Sequence, residues 1–165
     1  MELRRPTLAD KEAVLDMMRE FEETSSAHDG GFWNAENFYY EEWIAGNADA
    51  EMGLNIPDGW VPSIQFVGFE GGLAVGFLSL RLRLNDYLLE KGGHIGYSVR
   101  PSERGKGYAK EMLKQGLSAA MSKNIKKVLV TCSEANPASR AVILANGGVL
   151  EDVREGTERY WIDVT

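Results

Sequence analysis

At 165 residues and 44% hydrophobic side chains, the chain suits one globular domain, long enough to bury about two-thirds of its unfolded surface. No run approaches the ~20 apolar residues of a membrane span, and the acidic start MELRRPTLADKE does not read as a secretory leader. The net charge of −7 comes without a basic stripe, which argues against nucleic acid as a partner. One cysteine, Cys132, excludes an internal disulfide and fits a reducing, cytoplasmic setting. Charge is also uneven. Residues 1–60 carry 14 acidic and 4 basic side chains, whereas the remainder carries a small positive excess. Steering therefore favours a cationic small substrate at the front of the chain.

The opening MELRRPT reads as a short strand, after which Thr7 caps a helix in the order T-x-x-D. Ala13, Val14, Met17, Met18 and Phe21 recur at helical spacing to about Glu23, and SSAHDGG breaks the pattern. Residues 34–46 (NAENFYYEEWIAG) space their apolar side chains three and four apart and end on Gly46, which predicts a second helix. NADAEMGLNIPDGWVPS is a loop rich in turn formers. IQFVGFEGGLAVGFLSLRLRL is a hairpin turning near Glu70-Gly71-Gly72. Its second strand alternates Leu78, Leu80, Leu82 and Leu84 with Ser79, Arg81 and Arg83.

A polar loop, NDYLLEKGG, leads to HIGYSVRP, a fourth strand ended by Pro101. Lys106 to Met121 carries Ala109, Met112, Leu113, Gly116, Leu117 and Ala120 on one face, an amphipathic helix, and KKVLVTC follows as a fifth strand. Strand, helix and strand make a crossover, so strands four and five are expected to be parallel. Cys132, inside that apolar run, reads as a strand residue and not a nucleophile. SEANPASRAVILANGG gives a helix with Pro137 in its first turn, stopped by Gly147-Gly148; VLEDVRE and ERYWIDV supply a last hairpin. With no internal repeat or low-complexity tract, a single domain over 1–165 is expected.

The chemistry concentrates in RPSERGKGYAKEM, residues 100–112. The amides of Gly105, Lys106, Gly107, Tyr108 and Ala109 would converge at the positive end of a helix, with Arg104 and Lys106 adding charge; a pyrophosphate suits that arrangement. A P-loop is absent, since no G-x-x-x-x-G-K-[ST] occurs. A dinucleotide fingerprint is the rival, with Glu134 as its acid. Against it, Lys110 stands in the third glycine's place, four residues separate strand from glycines, and repeated strand–helix–strand units are missing.

Arg104-Gly105-Lys106-Gly107-Tyr108-Ala109 resembles the R/Q-x-x-G-x-G/A signature of the GNAT superfamily of acyl-CoA-dependent N-acetyltransferases. Asn136-Pro137-Ala138-Ser139, followed by a helix ending Asn146-Gly147-Gly148, is similar to that family's later motif. The element order agrees along most of the chain. The resemblance implies an α+β fold, with a mixed, mostly antiparallel central sheet flanked by helices and parallel strands four and five splayed around the cofactor. It implies acetyl-CoA as cosubstrate and no metal. The diphosphate would lie on 104–109, and the pantetheine arm along Tyr97, Ser98 and Val99 and near Asn136 and Ser139. Asn136 equally suits a helix cap.

The implied reaction is direct attack of a primary amine, of a small molecule or peptide, on the thioester. It needs a proton acceptor, oxyanion donors and a proton for the thiolate. His94 and Glu134 are the acceptor candidates and the Val99 amide the oxyanion donor. The tyrosine many members place seven residues after the motif asparagine is Ile143 here. Tyr97, Tyr108, Tyr160 or solvent would take its place. Trp33, Phe38, Tyr39, Tyr40, Trp43 and Trp60 are candidates for an acceptor pocket. A non-catalytic acyl-CoA-binding module of the same fold is the alternative, a dinucleotide enzyme the third reading, and homodimers are common in the resembled family.

Overall fold

The computed structural model describes residues 1–165. Its strands fall into two antiparallel sheets. The first runs β1 (Glu2–Arg4), β2 (Ser63–Glu70), β3 (Leu73–Arg81) and β4 (Ile95–Val99) in sequence order. The second sets β7 (Thr157–Asp163) between β5 (Lys127–Ser133) and β6 (Val149–Arg154). Five α-helices accompany them: α1 (Lys11–Glu23), α2 (Tyr40–Glu51), α3 (Asp86–Glu90), α4 (Tyr108–Ser122) and α5 (Pro137–Ala145). No helix is long and apolar enough to cross a membrane.

The central hairpin is covered on both faces, which explains its near-continuous apolar sequence. Ile64, Phe66, Leu78 and Leu80 share one core with Met112, Leu113 and Leu117 of α4 and with Val128 and Val130 of β5. Val67, Phe69 and Phe77, on the other face, share a second core with Val14, Met17 and Phe21 of α1 and Trp43 of α2. The leucine alternation thus holds for Leu78 and Leu80, and Leu82, half-buried, still packs against the same core. The strand ends at Arg81, the Leu82 N–H donates to Pro62 O at 2.8 Å, and Leu84 lies beyond the sheet.

Two helix boundaries differ from the expectation. Residues 34–46 do not form one helix: the Glu36 N–H donates to Asn34 Oδ1 at 3.0 Å and Asn37 takes φ 57°, a turn that delays α2 to Tyr40. Gly46, expected as the stop, sits inside α2, which runs on to Glu51 ahead of Gly53 at φ 73°. The loop NDYLLEKGG contains α3, whose first turn is capped by Asn85 Oδ1 accepting from the Leu88 N–H at 2.8 Å. Ahead of α1, the Asp10 carboxylate accepts from the Thr7 N–H and, at 2.8 and 2.9 Å, from Arg4. That guanidinium first, and the Thr7 N–H besides, hold the Asp10 carboxyl down at about 2.

What the sequence suggested as one mixed sheet is two, because β4 and β5 share no ladder. They touch at one point. The His94 N–H donates to Leu129 O at 2.8 Å, and the Leu129 N–H returns a bond to His94 Nδ1 at 2.9 Å. Beyond it the strands separate.

Candidate active site

Where β4 and β5 part, a cavity of about 1140 Å³ opens, walled by Ile95 to Val99 on one side and Thr131 to Asn136 on the other. Hydrogen-bond parity decides which backbone groups of β4 face it. The Arg81 N–H donates to His94 O at 2.7 Å and the Arg100 N–H to Val75 O at 2.8 Å, so even-numbered residues exchange their bonds with β3. Alternation turns the backbone of Tyr97 and Val99 toward the split, while that of Ser98 is engaged with β3. Val99 O is taken by Arg104 Nε at 3.1 Å. The Val99 N–H and both backbone groups of Tyr97 stay free, and the Ser98 Oγ is buried without a partner.

The glycine turn closes one end. Pro101–Glu103 form a single 3₁₀ turn, Gly105 and Gly107 take φ 77° and 85°, and α4 starts at Tyr108. A Cβ at either glycine would meet nothing within 4 Å, so the left-handed backbone, and not crowding, calls for glycine there. No hydrogen bond within the protein ends on the N–H groups of residues 105 to 110. These donors, at the positive end of α4, form a concave anion cradle. Arg104 ties the turn to the front loop through Ser26 Oγ at 2.7 Å. Lys106 is exposed and paired with Glu103, outside the cavity wall; Lys110, one turn further on, lines it.

Across the split, Asn136 Oδ1 accepts the Ser139 N–H at 3.1 Å and caps α5, while Ser139 Oγ shares a hydrogen bond of 2.8 Å with the Tyr97 hydroxyl. Burial pushes the Tyr97 phenol up to about 12, so it is neutral in any ordinary buffer. Glu134 is exposed in the wall, with its backbone N–H held by Gly156 O at 2.9 Å. Tyr108 lines the cavity too. Tyr160 lies behind it, its hydroxyl donating to Glu158 Oε1 at 3.0 Å, and Ile143 is wholly buried in the core. Burial first, and then Glu158, push the Cys132 thiol up to about 11, which leaves it inert near neutral pH.

His94 stands apart from the other candidates. It is 6% exposed at the point where the strands still touch, and its side chain is absent from the cavity wall. Burial first, and the Arg81 charge second, bring its imidazole down to about 4. It is neutral at pH 7, with Nδ1 occupied.

A second cavity of about 970 Å³ lies in front, walled by Phe21, Glu22, His28, Trp43 and Trp60 among others. It meets the first at Ser26, Ala27, Asp29, Gly30 and Arg81, which line both. The front loop presses hard on β4: a Cβ on Gly30 would fall 2.2 Å from Gly96 O. Of the six aromatics considered for this pocket, only Trp43 and Trp60 line it. Trp33 stacks on His28 at 3.9 Å inside the core, and the Tyr40 hydroxyl donates to Thr7 O at 2.6 Å. Phe38 packs beside the same core, and Tyr39 is exposed. Neither junction residue carries a functional signal in the sequence: Asp29 lies in the polar, glycine-rich break SSAHDGG, and Arg81 is the polar half of the strand alternation. No group of three or more His, Cys, Asp or Glu is placed to hold a metal ion.

The family model described as an acetyltransferase (GNAT) domain matches residues 1–149. No curated protein matches the sequence. Among solved structures, yncA of Salmonella typhimurium, determined with acetyl-CoA, superposes with a TM-score of 0.62 at 18% identity, over 99% of this chain and 94% of that one. RimJ of Mycobacterium smegmatis, in complex with CoA-disulfide, gives 0.67 at 19% identity over 98% and 80%. A spermidine N-acetyltransferase chimera of Vibrio cholerae SpeG and hSSAT gives 0.63 at 16% identity over 99% and 97%. At these identities the likeness is one of fold.

Proposed function

Because the chain belongs to the GNAT acetyltransferase family, we propose that it moves an acetyl group from acetyl-CoA to a primary amine by direct attack. The observation that carries this reading is the unpaired edge of β4, whose free Tyr97 N–H and C=O and free Val99 N–H lead along the split to the amide cradle at 105–110. Acetyl-CoA needs both features: donors for a diphosphate, and a strand edge for the amides of an extended arm. The buried, unpartnered Ser98 Oγ fits a wall meant to be covered.

When bound, acetyl-CoA supplies an acetyl thioester, and its carbonyl carbon receives the amine lone pair as the C–S bond breaks. The Val99 N–H, free and fixed by the sheet, donates to the oxygen on which charge develops. The amine must shed a proton, and Glu134, exposed in the wall, accepts it through water. The thiolate needs a hydrogen-bond donor. Tyr97 is suited to donate that bond, and at about 12 it is too weak an acid for full transfer, so solvent completes the protonation. His94 acts as a neutral wedge that fixes where the strands part. The acceptor enters through the front cavity, where Glu22 and Asp29 favour an incoming ammonium.

Calorimetric titration with acetyl-CoA, NAD and ATP tests the reading in the wild type and in Gly107→Trp, which fills the cradle. Micromolar binding of acetyl-CoA alone, lost in the variant, followed by thiol release with an amine panel, is the expected result. No binding by folded protein overturns it. Tight binding with no turnover on any amine leaves the acyl-CoA-binding module, a reading favoured by the buried Ile143 in the usual tyrosine's place.

A further inference from the structure

Arg81 is the one inward guanidinium at the junction of the two cavities, and it has no carboxylate within ion-pair distance. Elsewhere the chain neutralises its inner arginines. Arg100, 7% exposed, meets Asp16 at 2.7 Å and Glu20 at 2.8 Å. Arg159, 1% exposed, meets Glu151 and Asp152. Arg140 meets Glu158 at 2.8 Å. Arg83 and Arg104, also without a carboxylate partner, are exposed to water, and Arg104 spends its donors on Val99 O and Ser26 Oγ.

The guanidinium of Arg81 is held in place by carbonyls alone. Nη1 donates to Gly92 O at 3.0 Å, and Nε and Nη2 have no acceptor within the protein. A Cβ on Gly96 would fall 3.2 Å from Nη2, so the group lies across β4 at the passage from the front cavity into the split. Desolvation pulls its pKa below the usual arginine value, yet a guanidinium keeps its charge at neutral pH. A half-buried cation with two idle donor groups aimed at open space is poorly compensated by the protein itself. Asp29 lines the same two cavities and is not within 4.0 Å of that guanidinium, so two opposite charges stand apart on one rim.

We infer that the acceptor is an amino carboxylate of the free α-amino-acid class, its carboxylate taken by the idle donors of Arg81 and its ammonium drawn to the side of Asp29. This deepens the acetyl-transfer reading and rests on it. The planar fork of arginine matches a carboxylate with two parallel bonds, which a lysine cannot reproduce. The position matters as much as the charge. A carboxylate held by Arg81 beside Gly96 leaves an amine on the same carbon at the mouth of the split, with Tyr97 and then Val99 further along the strand.

The test is thiol release from acetyl-CoA with a panel of α-amino acids, their α-amides and the corresponding decarboxylated amines. Wild type is expected to favour the carboxylates in kcat/KM by roughly 10- to 100-fold, the range of hydrogen bonds to a charged partner. In Arg81→Gln that ratio falls to near one, with acetyl-CoA titration and melting showing that the variant is folded. If Arg81→Gln does not fold, Arg81→Lys keeps the charge without the fork, and an intermediate ratio is expected. Amides or plain amines equal to or better than the acids in wild type overturn the inference while leaving acetyl transfer intact. Failure of wild type to bind acetyl-CoA overturns the underlying reading instead.

Discussion

The rear of the crevice is built from backbone and the front from side chains, and the two ends were unequally readable for that reason. At the rear, one continuous stretch from Ile95 to Lys110 supplies a strand edge, two left-handed glycines and a helix start. At the front, Glu22 of α1, Asp29 of the loop after it, Trp43 of α2, Trp60 and Arg81 of β3 converge from five separate segments. A backbone site depends on which residues are glycine; a side-chain site depends on the whole fold.

The largest expected effect breaks the rear. Gly107→Trp should weaken acetyl-CoA by about 100-fold or more in calorimetry, because a bulky group in the cradle displaces a ligand held by several charge-assisted bonds. Gly147→Ala is the sharpening control. Gly147 also adopts a left-handed backbone, φ 88°, with open space around it, but at the far end of α5. An L-residue there costs roughly 1–2 kcal/mol of stability and should leave acetyl-CoA affinity as in wild type. Equal losses in the two variants would mean that the cradle acts only through folding.

The hinge between the two ends is His94, and its effect appears in pH. Its folded value, about 4, lies below the unfolded 6.5. Above pH 6.5 it is neutral in both states; as pH falls toward 4, only the unfolded chain takes up a proton, so stability drops. The gap between 6.5 and about 4 corresponds to roughly 3 kcal/mol by pH 4. His94→Asn places an Oδ1 where Nδ1 accepts the Leu129 N–H, without a titrating ring. Chemical denaturation at pH 7 and pH 4.5 should show wild type losing about 2 kcal/mol more than the variant over that interval. Parallel losses would show that the acid sensitivity arises elsewhere. Carboxylates with lowered values, such as Asp10, cancel in this difference.

Tyr97 sits at the meeting of the two walls, and its effect should be smaller. Tyr97→Phe removes the hydroxyl bonded to Ser139 and is expected to lower kcat about tenfold, the value of one hydrogen bond to a developing charge. The acetyl-CoA dissociation constant is expected to move far less than kcat. With the phenol at about 12, wild-type kcat should show no alkaline limb from this group up to pH 10. A weakened acetyl-CoA affinity with unchanged kcat would instead make the hydroxyl a brace between β4 and α5.

How much of this was legible in the sequence follows from the same contrast. The turn at 104–109 could be located because only glycine takes φ 77° and 85° without strain, and the two residues that need it are separated by Lys106 alone. The cap at Asn136 was legible as a cap, since Asn, Pro and Ser in that order favour one local geometry. His94 was placed at the right strand end, but no local pattern tells whether an imidazole at a strand start faces a cavity or a neighbouring strand. Gly46 misled because a helix interior tolerates a glycine when its outer side is open; a Cβ there meets nothing within 4 Å. Arg81 reads as the polar half of an alternation, and only the assembled front loop and the separation of β4 from β5 give it the two cavities it faces.

The smallest expected effect separates the two lysines of the turn. Lys106 lies within the glycine signature, where the sequence offers it, together with Arg104, as charge beside a phosphate and equally as a surface residue; the structure pairs it with Glu103 on the outside. An exposed, already paired ammonium is screened by water and salt, so Lys106→Ala should change acetyl-CoA affinity less than about twofold. Lys110 has no carboxylate partner and lines the cavity in the first turn of α4. Lys110→Ala should weaken binding several-fold at low salt, with the difference shrinking as ionic strength rises. The opposite order would put the phosphates on the outer side of the turn, where an extended arm could not reach the free edge of Tyr97 and Val99. The two substitutions are both far from the acetyl group, and for that reason they report only on where the anion lies.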